Sequence, residues 1–159
     1  MTRGLGDAGA MVIVRRHDEI VRHALRTYGG RETKHTGDGI MASFVSASSA
    51  VKCALAMQQR FAEMDPQLSL QIRVGISAGE PVTERGDFFG TAVQLAARLC
   101  GAADPGTILV SQAVHELCAG TELNFGEVRE LYFRGFPNSV RCYPVDLPRL
   151  DRSMPAGKP

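Results

Sequence analysis

Three short stretches of this chain carry residue types able to act on a phosphorylated ligand. In Lys34-His35-Thr36-Gly37-Asp38-Gly39 an aspartate sits between two glycines, at what reads as a hairpin tip. A carboxylate there, with little bulk around it, can reach a divalent cation that bridges phosphate oxygens. Gly-Asp-Gly is equally the composition of an ordinary turn, and Lys34 alone reads equally as a solvated surface lysine. The second stretch, Gly86-Asp87-Phe88-Phe89-Gly90, runs into a helical segment bearing Gln94 and Arg98. Positions four apart share a helix face, so the amide and the guanidinium can address one ligand. The guanidinium fork suits phosphate oxygens and keeps its charge. The alternative is a surface ion pair at Arg98 and a turn residue at Asp87. The third is Arg134, followed by Gly135, which suits either a phosphate tail or a polar turn. His17, His23, His35 and His115 lack ligand or triad spacing, and no P-loop, dinucleotide fingerprint or nucleophile elbow occurs.

The elements that must position these residues follow from periodicity. Val14, Val21, Ala24, Leu25 and Tyr28 fall near one face of a helix over 8–28, which Gly29-Gly30 stops. Residues 31–36 and 40–45 form the arms of the hairpin. A helix over 47–64 follows, capped by Ser46 or Ser48. Leu68, Leu70, Ile72, Val74 and Ile76 alternate with polar or small residues, which predicts a strand over 68–76. An extended piece at 80–84 leads into the turn at 84–87. A helix over 90–102, a buried strand at 107–110, a helix at 112–118 and closing strands at 125–133 and 139–145 complete the pattern. This reads as α+β, a ferredoxin-like α/β sandwich of one sheet with helices packed on it. Residues 1–147 form one domain, and 148–159 a frayed tail.

Composition narrows the function. The 159 residues carry 18 Lys+Arg against 17 Asp+Glu, a net charge of +1, which gives no footprint for nucleic acid or an anionic membrane. Four cysteines without a C-x-x-C pair argue against a structural zinc and read as small buried hydrophobes. No signal peptide or membrane-spanning run is evident, so the expected setting is reduced and cytoplasmic.

Taken in order, the motifs resemble the catalytic domain of the class III nucleotidyl cyclases. Gly29 to Gly39 is similar to the family's lysine and metal-aspartate hairpin. Ile72-Arg73-Val74-Gly75-Ile76-Ser77-Ala78-Gly79 resembles its central strand. Asp87-Phe88-Phe89-Gly90 with Gln94-Leu95-Ala96-Ala97-Arg98 resembles its substrate-specifying and transition-state segment, and Leu131 to Val145 its closing hairpin. The resemblance covers about residues 5–146. It implies conversion of ATP into 3′,5′-cyclic AMP and pyrophosphate with two Mg²⁺ or Mn²⁺ ions at a dimer interface, in cyclic-nucleotide signalling. Lys34 and Asp87 would read the adenine, Asp38 would bind metal, Arg98 would hold phosphate in the transition state, and Arg134 falls where the family often has a phosphate-binding lysine. The lysine at 34 leans the substrate to ATP. The expected partner is a second cyclase domain, identical or not.

Two departures accompany the resemblance. The family places a strand with its first metal aspartate, in an F-x-D-I-x-G-type motif, ahead of the helix at 8–28, and runs it through the middle of the sheet. The sequence opens Met1-Thr2-Arg3-Gly4-Leu5-Gly6-Asp7, which resembles the segment after that motif. A late start codon, a degenerate gene or a strand supplied by a partner would each account for this. Gln94 stands where the family generally has asparagine. The alternative function is therefore an impaired pseudo-cyclase that binds nucleotide or dimerises.

Overall fold

The structure, a computed structural model, describes residues 6–36, 39–64, 70–80, 82–84 and 87–148. It opens with helix α1 (Gly6–Tyr28), whose residues Ile20, Val21, Ala24 and Leu25 are buried along one stripe. Gly29 takes φ +78°, and the Gly30 N–H donates to the Leu25 carbonyl at 2.8 Å, closing the helix in the left-handed cap that glycine accepts. Strands β1 (Arg31–Thr36) and β2 (Gly39–Ser43) pair antiparallel, with a register shift between Glu32 and Lys34. Helix α2 (Ala47–Ala62) starts at Ser46, whose hydroxyl accepts the Ser49 N–H at 3.2 Å.

Next come β3 (Val74–Ile76), the hairpin β4 (Val82–Glu84) and β5 (Asp87–Phe89), and helix α3 (Thr91–Ala102). Strand β6 (Ile108–Ser111), helix α4 (Gln112–Leu117) and strands β7 (Arg129–Leu131) and β8 (Val140–Pro144) follow. Four strands form a sheet in the order β3-β6-β8-β7, with β3 parallel to β6 and the remaining pairs antiparallel. The α+β class holds, with helices packed on sheet.

Strand β6 explains how the layers stack. Its four residues are all buried, because Ile108 and Val110 face Val51 and Ala54 of α2 while Leu109 faces Leu99 of α3. A third apolar cluster joins α1 to α2 through Ile20, Val21, Leu25, Cys53 and Phe61. Gln58 is the buried polar residue of α2. Its amide donates to the Ile72 and Thr107 carbonyls at 3.0 and 3.2 Å, tying the helix to the two chain segments that enter β3 and β6.

Two predicted strands are shorter than their patterns. The ladder expected over 68–76 is confined to 74–76, where β6 supplies a partner; residues 70–73 precede it without pairing, and 68–69 lie outside the described residues. The closing strand expected over 125–133 pairs only at 129–131, with one bridge from Phe125 to Val145. The predicted tail beyond Pro148 also lies outside the described residues.

Among the described residues, β2 pairs only with β1 and β3 only with β6. A cavity of about 430 Å³ lies between them, floored by Val21 and Leu25 of α1 and Cys53 and Ala54 of α2. The resemblance expects a sheet that lacks its middle strand, and the described sheet is divided at this place.

Candidate active site

Lys34 lies in β1, exposed, opposite Met41 of β2. Asp38 lies at the turn between these strands, outside the described residues. Asp87 opens β5 opposite Glu84. Strand β1 packs beside β5, so the backbone brings the lysine-bearing strand and the aspartate-bearing strand together from positions more than fifty residues apart. That juxtaposition joins two motifs that the sequence could only place in order.

Helix α3 presents the next pair. Leu95 and Leu99 pack into the cluster with Leu109 and Cys142, which turns Gln94 and Arg98, one position earlier in each case, out to solvent. The helix is held tightly to β3: a Cβ built on Gly75 would lie 2.3 Å from the Cys100 nitrogen and 2.4 Å from the Ala96 oxygen. The Ser77 hydroxyl also donates to the Ala92 carbonyl. Gly90 caps α3 with φ +116°, a conformation open to glycine. Arg134 is exposed in the turn after β7, where Phe133 packs on the cluster shared with Leu95 and the Phe136 N–H donates to the Phe133 carbonyl at 3.1 Å. The structure thus places Lys34 with Asp87's strand, and Gln94 with Arg98; Arg134 reaches the same apolar cluster from its far side. Among the described residues no group of three or more His, Cys, Asp or Glu could hold a metal ion, so these side chains alone do not make a metal centre.

A polar network that sequence reasoning missed braces the lysine strand. The Arg22 guanidinium donates to both oxygens of Glu32, at 2.9 and 3.3 Å, and lies 3.7 Å from Asp18. Asp18 in turn lies 3.7 Å from His35 and accepts from His17 at 3.0 Å. The i, i+4 spacing of Asp18 and Arg22 was the available signal; their partners across the α1–β1 gap were not. The His17 hydrogen bond holds the Asp18 carboxyl below its ordinary range, with the charges of His17, Arg22 and His35 adding to it. The Arg22 hydrogen bond does the same for Glu32.

A depressed carboxylate contributes stability that is present above its unfolded pKa and is lost as pH falls through the folded value. Asp18→Asn is therefore expected to flatten the fall in Tm between about pH 5 and pH 2 while changing the neutral Tm little. An acid limb identical to that of the parent would refute the contribution of Asp18.

An α+β domain that sets a lysine-bearing hairpin beside an aspartate-bearing one, with an amide and a guanidinium on the helix that follows, has the architecture of a nucleotide cyclase catalytic domain. The chain belongs to the adenylate and guanylate cyclase catalytic domain family, whose model matches residues 10–146. A crystal structure of an adenylate/guanylate cyclase/hydrolase from Silicibacter pomeroyi superposes with a TM-score of 0.76 at 32% identity, over 94% of this chain and 89% of that one. The fold is shared with monomeric adenylate cyclases from Trypanosoma brucei, at a TM-score of 0.74 and 23% identity, over 84% of this chain and 78% of that one. A Rhizobium meliloti protein that bears an adenylate cyclase name is 36% identical over 119 residues, 72% of this chain and 20% of the relative. An adenylate cyclase of Mycosarcoma maydis is 34% identical over 146 residues, 75% of this chain and 6% of the relative. The chain thus spans a fifth or less of the length of these two curated relatives. No helix among the described residues is long and apolar enough to cross a membrane.

Proposed function

We propose that this domain is an adenylate cyclase module that takes ATP to 3′,5′-cyclic AMP and pyrophosphate. The reading is supported chiefly by the approach of β1 to β5, which brings Lys34 and Asp87 to neighbouring strands. In this reading Lys34 donates to the adenine and Asp87 accepts from it. A purine with the donor and acceptor edges exchanged meets like against like, which disfavours GTP. Arg98, charged at every working pH and exposed on α3, donates to the phosphate oxygens as charge builds on them, with Gln94 beside it to orient the ribose. Arg134 supplies a second cation toward the phosphate tail. Asp38 would hold the divalent ion, Mg²⁺ or Mn²⁺, which neutralises phosphate charge when bound. The site is completed by a second cyclase domain.

A second reading, a module that binds nucleotide or dimerises without turnover, is favoured by one observation. The hairpin that carries Asp38 pairs with no other strand among the described residues, so its tip is held less firmly than catalysis at that carboxylate requires. One experiment separates the two. The purified chain is given ATP and Mn²⁺, with Asp38→Ala as control, and cyclic AMP is measured alongside the thermal melt. The first reading expects cyclic AMP that the control abolishes. Protection by ATP in the melt without product selects the second, and neither response refutes both.

A further inference from the structure

The cavity between β2 and β3 has the signature of a strand position rather than of a ligand pocket. Residues 40–44 and 74–79 line it consecutively. Along a strand successive side chains point to opposite faces, so a cavity on a face would touch alternate residues only. Contact with consecutive ones places the cavity against the strand edges. Both edges are unpaired among the described residues, and each presents a row of backbone N–H and C=O groups toward the other. Below them the floor is apolar, formed by α1 and α2. At the rim Val45 is fully exposed and Leu117 is mostly so, two apolar side chains left for an occupant to cover.

We propose that this groove is a strand-acceptor site, which takes one extended, apolar-alternating segment supplied by a partner polypeptide. Such a segment exchanges main-chain hydrogen bonds with β2 on one side and β3 on the other, and seats alternate side chains on Val21, Leu25, Cys53 and Ala54. Binding by strand addition draws affinity from the backbone and selectivity from the alternate pockets. Insertion joins the hairpin to the main sheet in the order β1-β2-inserted strand-β3-β6-β8-β7. The terminal segments of this sequence outside the described residues do not suit the position. Residues 1–5 include Arg3 and Gly4, and residues 149–159 include Pro155, Pro159 and several charges, none of which fits a strand buried and paired on both sides. The inference rests on the edges and the cavity, and stands whether or not the domain turns over ATP.

The test uses the 159-residue protein and a synthetic decapeptide that alternates valine with threonine between terminal lysines. Two further peptides are N-methylated at the odd or at the even central positions, which keeps the side chains and removes the donors along one edge. The expected result is saturable binding that raises the Tm, new exchange protection of amides in both 39–43 and 74–76, and at least about tenfold weaker binding for each methylated peptide. Affinity untouched by either methylation means apolar adsorption and overturns the proposal. So does loss with one methylated peptide only, because that is pairing to a single edge. Concentration-dependent dimerisation that the decapeptide reverses would assign the groove to a second copy and overturn the partner reading.

Discussion

Gly75→Ala is expected to destabilise the domain by about 3 kcal/mol, lowering Tm by on the order of 10 °C. The cause is specific. The methyl group would sit 2.3 Å from the Cys100 nitrogen, 2.4 Å from the Ala96 oxygen and 2.9 Å from the Cys100 Cα. All three are backbone atoms of α3, so no side chain can swing away, and either β3 or the whole helix must move. Moving the helix disturbs the cluster of Leu99, Leu109 and Cys142 behind it. A control of opposite sign lies on the same helix. Gly101 has nothing within 4 Å of its Cβ position, and alanine there gains about 0.5–1 kcal/mol from helix propensity. Thermal melts of both variants test the account. Equal effects of the two substitutions would mean that the close approach of β3 to α3 does not carry the stability assigned to it.

Arg98→Ala is expected to lower kcat for cyclic AMP formation by about 10²–10³-fold, the usual cost of removing one donor aimed at developing charge. Because Arg98 is exposed, Tm should stay within about 1 °C of the parent. Arg98→Lys keeps the charge and loses the planar fork, so it should restore part of the rate. KM for ATP should change much less than kcat, since the contact strengthens as the phosphate gains charge. A variant with parental kcat would remove Arg98 from the proposed mechanism, and one with reduced Tm would reassign it to the fold.

The comparison of pattern with ladder shows which information is local. Alternation from Leu68 to Ile76 states which side of the chain is apolar, and it continues through the unpaired residues 70–73. Pairing begins only at Val74, where Ile108 stands opposite. Just before it, the Ile72 carbonyl is taken by the Gln58 amide and the Gly106 N–H, at 3.0 and 2.7 Å. Those partners are fourteen and thirty-four residues away, so nothing in the local pattern announces them. Caps and turns were legible because their chemistry is local. Ser46 and Gly29-Gly30 do what their types suggest. The order of the site motifs was legible too, but not that β1 and β5 lie side by side, nor that Arg22 and Asp18 reach Glu32 and His35 across a helix–strand gap.

The three apolar clusters each enclose one cysteine: Cys118 beside β6 and α4, Cys53 between α1 and α2, and Cys142 against α3. Burial raises all three thiols, Cys53 to about 11. At neutral pH about one Cys53 side chain in ten thousand is thiolate, the form that electrophiles and oxidants attack. Each thiol therefore reacts mainly when its own surroundings part. A pulse of alkylating reagent samples three regions of the interior at once, and the ratio of the three labelling rates ranks how often each one opens. The domain carries its own reporters of local opening, one per layer, with no residue changed to install them.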